Sequence, residues 1–283
     1  MLEPAAFFLV LLSAAMHAGW NLIAKLGNDR LLAMAVIKAP NIVLSVALVA
    51  WAGWPARESW PFLAASAAIN AFYFHFLIRA YQSGDLGVAY PVARGVAPLL
   101  VMVLSGVVMA EIPSAAGVVG VLLISGALFA LAARGGADPT GKHRTTILWA
   151  IAVGLTIAAY TMVDGLGGRA SGNVIGYVAA LNIFTGLWVC GAALAQRPTA
   201  FAHALRARWR KGVVGGAMML LSYLIVVYAM TLAPMAQVAA LRETSVVFAA
   251  LLGTMFLHEP LGRLRITIAA VVAAGIALIA ISR

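Results

Sequence analysis

The 283-residue chain is 64% hydrophobic and only 10% charged, a composition that excludes an ordinary soluble domain and requires a lipid environment. Its formal net charge of +10 would suit nucleic acid, but the basic residues are scattered through connectors beside apolar segments, where the positive-inside effect accounts for them. The single cysteine, Cys190, lies in the seventh apolar segment; it permits no intrachain disulfide and no thiolate cluster, and reads as packing.

Ten apolar stretches of spanning length, about 20 residues each, follow one another at 4–26, 31–53, 61–82, 86–109, 115–133, 146–167, 173–195, 211–232, 236–257 and 262–281. The first lacks a basic n-region and is too long for a signal-peptide core, so it reads as a true span. Ser13, His17 and Asn21 lie on one face of it at i, i+4 and i+8, with Trp20 beside them. His17 is the side-chain type suited to carrying a proton near neutral pH, and a packed histidine satisfied by a neighbour is the competing reading. The second span places Lys38 within snorkelling reach of its cytoplasmic end and contains Ala39-Pro40-Asn41-Ile42. The third carries Ser66, Asn70 and Tyr73, with His75 inside an aromatic run that reads as packing.

The fourth span reads Tyr90-Pro91-Val92-Ala93-Arg94-Gly95-Val96-Ala97-Pro98 and is closed by Glu111. Two prolines and a glycine weaken the helix around Arg94 and free backbone groups for neighbours or a ligand. The stretch 134–145, rich in Gly and Pro, reads as a linker. Beyond it, the sixth span sets Thr156, Tyr160 and Asp164 on one face, and the seventh contains Ala180-Leu181-Asn182-Ile183. The connector 197–211 is strongly basic. The ninth span carries Arg242-Glu243-Thr244-Ser245 and ends at His258-Glu259, which read as boundary residues.

These features repeat. Arg94 and Glu111 recur 148 positions later as Arg242 and Glu259, and Ser13, His17 and Asn21 recur 143 positions later as Thr156, Tyr160 and Asp164. Lysine and arginine fall mostly on one alternate set of connectors, which is expected to face the cytoplasm, leaving both termini outside. The basic connectors change sides between the two copies, as an inverted repeat of five spans requires. The expected fold is all-α integral membrane, with ten transmembrane helices as two inverted five-helix repeats around a central cavity. Its parts are 1–134, a linker 135–145, and 146–283.

An ionisable group at membrane depth is a functional candidate by default. Arg94 and Arg242 approach the middle from opposite faces, so two guanidiniums could clamp a carboxylate or phosphoryl group. The competing reading has each arginine neutralised by a protein carboxylate, with Glu243 and Asp164 available. Glu243 diverges from Arg242 by about 100° on a helix and so cannot readily pair with it. The expected substrate-binding set is Arg94, Arg242, His17, Trp20, Asn21, Tyr73, Tyr90, Tyr160 and Asp164. Glu243, Asp164 and His17 are the coupling and gating candidates. The polar stripes of the first and sixth spans are expected to face each other.

With Glu111 ending one fourth span, Glu259 ending the other, and a Gly/Ala-rich fifth span after each (Gly117 to Ala133, Ile266 to Ile281), the whole chain resembles the ten-helix EamA-type permeases of the drug/metabolite transporter superfamily. The resemblance implies a cavity lined by spans 1, 3, 4, 6, 8 and 9, and alternating access by rocking of the halves. It also implies export of amino acids or other small metabolites. The superfamily's small multidrug exporters use a carboxylate within their first span. Here Glu3 precedes that span and its interior has none, which disfavours a cationic drug, as does the intramembrane arginine.

The expected function is therefore secondary transport of a small anionic or zwitterionic metabolite (amino acid, organic acid or organophosphonate) across the inner membrane. Proton-driven export is the expected arrangement, with facilitated diffusion beside it. A cation or drug exporter of the same superfamily and a non-transporting membrane subunit are the alternatives. The chain is expected to act as a monomer or homodimer, with no cofactor, no metal, no catalytic residues and no nucleic-acid partner. Its histidines, at 17, 75, 143, 203 and 258, have no ligand spacing.

Overall fold

Lipid offers no hydrogen-bond partners, so an apolar run must pair its backbone within itself, and short of a closed barrel only helix does this. The computed structural model describes residues 4–27, 29–83, 86–133, 143–257 and 263–281, and among these it contains no strand. Eleven α-helices and one 3-10 turn (Arg57–Ser59) follow one another: α1 Pro4–Lys25, α2 Arg30–Ala52, α3 Trp60–Ser83, α4 Leu86–Met109, α5 Ala115–Ala133, α6 His143–Ala170, α7 Val174–Gln196, α8 Pro198–Leu232, α9 Met235–Arg242, α10 Ser245–Leu257 and α11 Arg263–Ile281. Eight helical stretches among the described residues are long and apolar enough to cross a membrane, with α9 and the first part of α10 counting as one, and Ile266–Ile281 is a shorter apolar helix. α3 adds 24 residues, about 36 Å of helix. The protein is an all-α integral membrane protein.

Apolar side chains face outward as well as inward, as lipid allows. Val107 is 80% exposed, and Val43, Trp188 and Leu155 are exposed too. Trp51, Trp54 and Trp60 crowd the connector between α2 and α3, the place of an interfacial aromatic belt.

Two expectations about helix continuity are corrected. The interruption falls in the ninth span and not around Arg94: α4 runs unbroken through Pro91 and Pro98, whereas α9 stops at Arg242 and α10 starts at Ser245. Between them the backbone tightens into i to i−3 hydrogen bonds, Glu243 N to Ala240 O at 3.0 Å, Thr244 N to Leu241 O at 3.1 Å and Val247 N to Thr244 O at 2.9 Å. The run Thr244, Ser245, Val246, Val247 contains three β-branched residues and a serine, none of which favours helix interior. The second correction concerns 197–211, which is no loose connector. Helix begins at Pro198 and bends at Arg208 (φ −124°, ψ 18°) before running on to Leu232.

Packing crosses between the first and second parts of the chain. α1 lies on α8 and α3 on α6; α2 meets α7, α5 meets α11, and α4 meets both α6 and α9. Small residues set the closest approaches, as in other membrane bundles. A Cβ on Gly120 of α5 would stand 2.7 Å from Gly275 O of α11, and one on Gly275 would stand 2.9 Å from Gly120 O. At Gly154 of α6 a Cβ would stand 2.9 Å from Ala93 O of α4, so this glycine brings α6 against the turn that carries Arg94. The linker residues 134–142, and with them His258 and Glu259, lie outside the described residues.

Candidate functional site

Arg94, on α4, is buried against the break between α9 and α10. Its Nε stands 2.8 Å from Glu243 Oε2, with both side chains at most 6% exposed. Its Nη2 donates to Ser245 Oγ at 2.9 Å, and the Tyr90 ring, one turn earlier, lies 5.8 Å from Cζ. Glu243 lies in the tightened turn between α9 and α10, and its carboxylate faces α4. Of the two readings of the arginines, the protein carboxylate therefore holds for Arg94.

Arg242 has no such partner. It closes α9 at 7% exposure, its guanidinium lies 5.3 Å from the Tyr223 ring of α8, and its buried Nε makes no hydrogen bond. Arg242 and Glu243 line one side of a cavity whose other walls include Pro98, Val101, Thr161 and Met230. The cavity measures about 10 Å³, room for about one water.

Asp164 is fully buried and held by hydroxyls. Tyr177 of α7 donates to Oδ1 at 2.9 Å and Tyr223 donates to Oδ2. Tyr223 therefore joins the two charges: its hydroxyl holds Asp164 and its ring faces Arg242. Such charge-assisted hydrogen bonds suit a carboxylate that has left water without meeting a cation directly.

His17 is buried, with its ring edge-on to Trp20 at 4.9 Å between centroids, and both guanidiniums act on it electrostatically. Tyr160 stacks edge-on against Tyr73 at 6.1 Å and lies within the fields of Arg242, Arg94, Asp164 and Glu243. The two polar stripes do not meet face to face as expected. Ser13 instead donates to Ser222 O of α8 at 2.7 Å, and Tyr160 turns to α3. His17 and Tyr160, one from each stripe, both lie in the fields of the two buried guanidiniums. Asn21 Nδ2 donates to His17 O one turn back at 2.8 Å.

Lys38 does not snorkel. It is 7% exposed and donates across the α2–α7 contact to Asn182 Oδ1 at 3.2 Å and Thr185 Oγ1 at 3.0 Å. The polar pair on α7 offers acceptors nearer than the membrane surface. His75 lies on the exposed side of α3, edge-on to Phe76 at 5.9 Å. Cys190 is buried, as packing requires.

Sequence reading missed Tyr177, Tyr223 and Ser245 as partners, and it missed the role of Glu111. That carboxylate pairs with Arg169 Nη1 at 2.6 Å and accepts from Met235 N at 2.9 Å, capping the first turn of α9. Ala110, in the left-handed region at φ 54°, turns the chain at the end of α4, with Glu111 N returning to Ser105 O at 3.2 Å. A left-handed residue just past a helix end is usually glycine. Arg169 also donates to Met230 O at 2.9 Å and Ala233 O at 3.3 Å, so one guanidinium gathers α4, α6, α8 and α9.

A crystal structure of another protein shares this fold with a TM-score of 0.73 and 18% sequence identity, over 97% of this chain and 94% of that one. No curated protein sequence matches the chain. Residues 144–281 match the EamA-like transporter family, in keeping with the drug/metabolite transporter superfamily. The matched segment, which carries Tyr160, Asp164, Arg242 and Glu243, is thus similar to the EamA-like transporter family.

Proposed function

We propose that this protein is a secondary transporter of the inner membrane that exports a small anionic or zwitterionic metabolite by alternating access. The ten spans form two inverted halves, α1 to α5 and α6 to α11. Reciprocal packing supports this reading: the first span lies on the eighth and the sixth on the third, while the second meets the seventh and the fifth meets the tenth. Exchanging the two copies exchanges these contacts among themselves.

The observation that carries the substrate assignment is Arg242, a buried guanidinium with an unpartnered Nε at the edge of the central cavity. A desolvated cation of this kind is costly unless an anion meets it for part of the cycle, and its planar fork matches a carboxylate or phosphonate. Arg94 is already engaged by Glu243 and Ser245. Arg242 is therefore the anchor, and the Arg94–Glu243 pair is the gate beside it. A zwitterion would set its anionic end on Arg242 and draw its ammonium toward Glu243. At about 10 Å³ the cavity holds no metabolite, so binding belongs to conformations in which the halves have separated on one side. Proton coupling would fall to Glu243, Asp164 or His17.

The test is flux and melting temperature measured on the same proteins. Proteoliposomes loaded with labelled alanine, succinate or aminomethylphosphonate should release at least one of these saturably. Arg242→Lys keeps the charge but loses the fork, and should cut that flux at least about tenfold while the melting temperature holds. Full flux in a well-folded Arg242→Met protein would sink the proposal.

A further inference from the structure

The first ten residues of α8, up to the bend at Arg208, are not needed to cross the membrane. From Trp209 to Leu232 the helix already provides 24 residues, about 36 Å against a hydrocarbon core of about 30 Å. The arm before the bend is amphipathic. Phe201 is buried and Leu205 packs with it on a cluster formed by α2 and α7, including Val189, Cys190 and Ala193. On its other side stands Arg206, and just past the bend come Arg210 and Lys211, all exposed and without an ion pair among the described residues. Between Arg197 and Lys211 the chain has no acidic residue.

Two further contacts hold the arm in place. Arg197 pairs with Asp29, the cap of α2, and Arg208 donates to Leu26 O at 3.2 Å. At the bend, Trp209 is 55% exposed with the Arg210 guanidinium 5.4 Å from its ring. An exposed tryptophan beside cations, at the junction of a surface helix and a spanning helix, is placed where headgroups meet acyl chains. Charges that served only to set orientation could lie on any connector. These are carried on a helix pinned along the bundle.

We propose that the bend of α8, with Arg206 on the arm before it and Trp209, Arg210 and Lys211 just after it, is a binding surface for the headgroups of anionic phospholipids. The partner is recognised by charge and by the tryptophan's depth, and the shape of the headgroup matters little.

The test uses the purified full chain in neutral detergent. Retention of phosphatidylglycerol and of phosphatidylcholine with the same acyl chains is compared by native mass spectrometry at low and high ionic strength. Phosphatidylglycerol should be retained at least about tenfold better at low salt, with the advantage shrinking as salt screens it. Arg206→Gln, Arg210→Gln and Lys211→Gln should each cost about fivefold, and the triple variant should lose most of the preference. Arg206→Lys should keep it, as should Arg57→Gln at the other end of the bundle, which controls for loss of net charge. Equal retention of the two lipids by the unaltered protein would overturn the proposal. So would a triple variant that keeps the preference, or one that changes only the dimer fraction, which would assign the arm to a second copy of the chain.

Discussion

Arg94 and Arg242, 148 positions apart in the sequence, are both buried, yet their surroundings differ in kind. Arg94 sits in a continuous helix and has a carboxylate and a hydroxyl within 3 Å. Arg242 ends a broken one and has an aromatic face and a cavity. Glu243 separates the two cases: it pairs with Arg94 across the bundle, while its place next to Arg242 in the chain points its carboxylate away from that guanidinium.

Breaking the paired side should have the largest effect. Arg94→Ala strands the Glu243 carboxylate in the bundle and should cost about 3–5 kcal/mol, read as a lower melting temperature or a loss of folded protein. Replacing both partners, as Arg94→Met with Glu243→Leu, should recover at least half of that. If the double variant is no better than the single, the pair is not what stabilises this region.

Glu111 connects the end of α4 to the start of α9, the two helices that bear the arginines. Glu111→Ala removes the cap on Met235 N and a partly exposed ion pair with Arg169. A loss of about 1–2 kcal/mol is expected, measured by thermal unfolding in one detergent. An unchanged melting temperature would mean that the start of α9 is held by packing alone.

Relief at Ala110 sharpens the same junction from the other direction. A non-glycine residue at φ 54° is costly, and the position is exposed, so Ala110→Gly should raise stability by about 1 kcal/mol. The smallest stability effect belongs to the unpaired side. Arg242→Met removes a desolvated charge that no carboxylate contacts directly among the described residues, and stability should change by less than about 1 kcal/mol or rise. A loss as large as that of Arg94→Ala would erase the distinction between the two arginines.

The spans were legible in the sequence because apolar runs of about 20 residues admit few other readings, and their ends fall within a few residues of the helices found, except at α8, whose helix begins at Pro198 and not at 211. Both arginines and Asp164 stood out because charge within such a run has a narrow range of uses. The break at Glu243 was hidden because it contains neither proline nor glycine, while Pro91 and Pro98, which drew attention to the fourth span, lie inside an intact helix. Tyr177 and Tyr223 read as aromatic packing, since nothing local reveals that two helices will bring both hydroxyls to one carboxylate. The arm of α8 was obscured by its own cations: only Phe201 and Leu205, four residues apart, betray a buried helical face, and six charged or polar positions around them read as loop.

The contact of Gly120 with Gly275 has a mechanical consequence. With no side chain between the two backbones, α5 and α11 touch at a point where each glycine leaves room only for the other's carbonyl, flanked by Ile279 on one side and Ile124 on the other. Sliding either helix by a turn would drive an isoleucine into the space of a hydrogen atom. Rotation about the point disturbs far less, so this seam acts as a pivot, and any relative movement of the two helices is confined to swivelling around it.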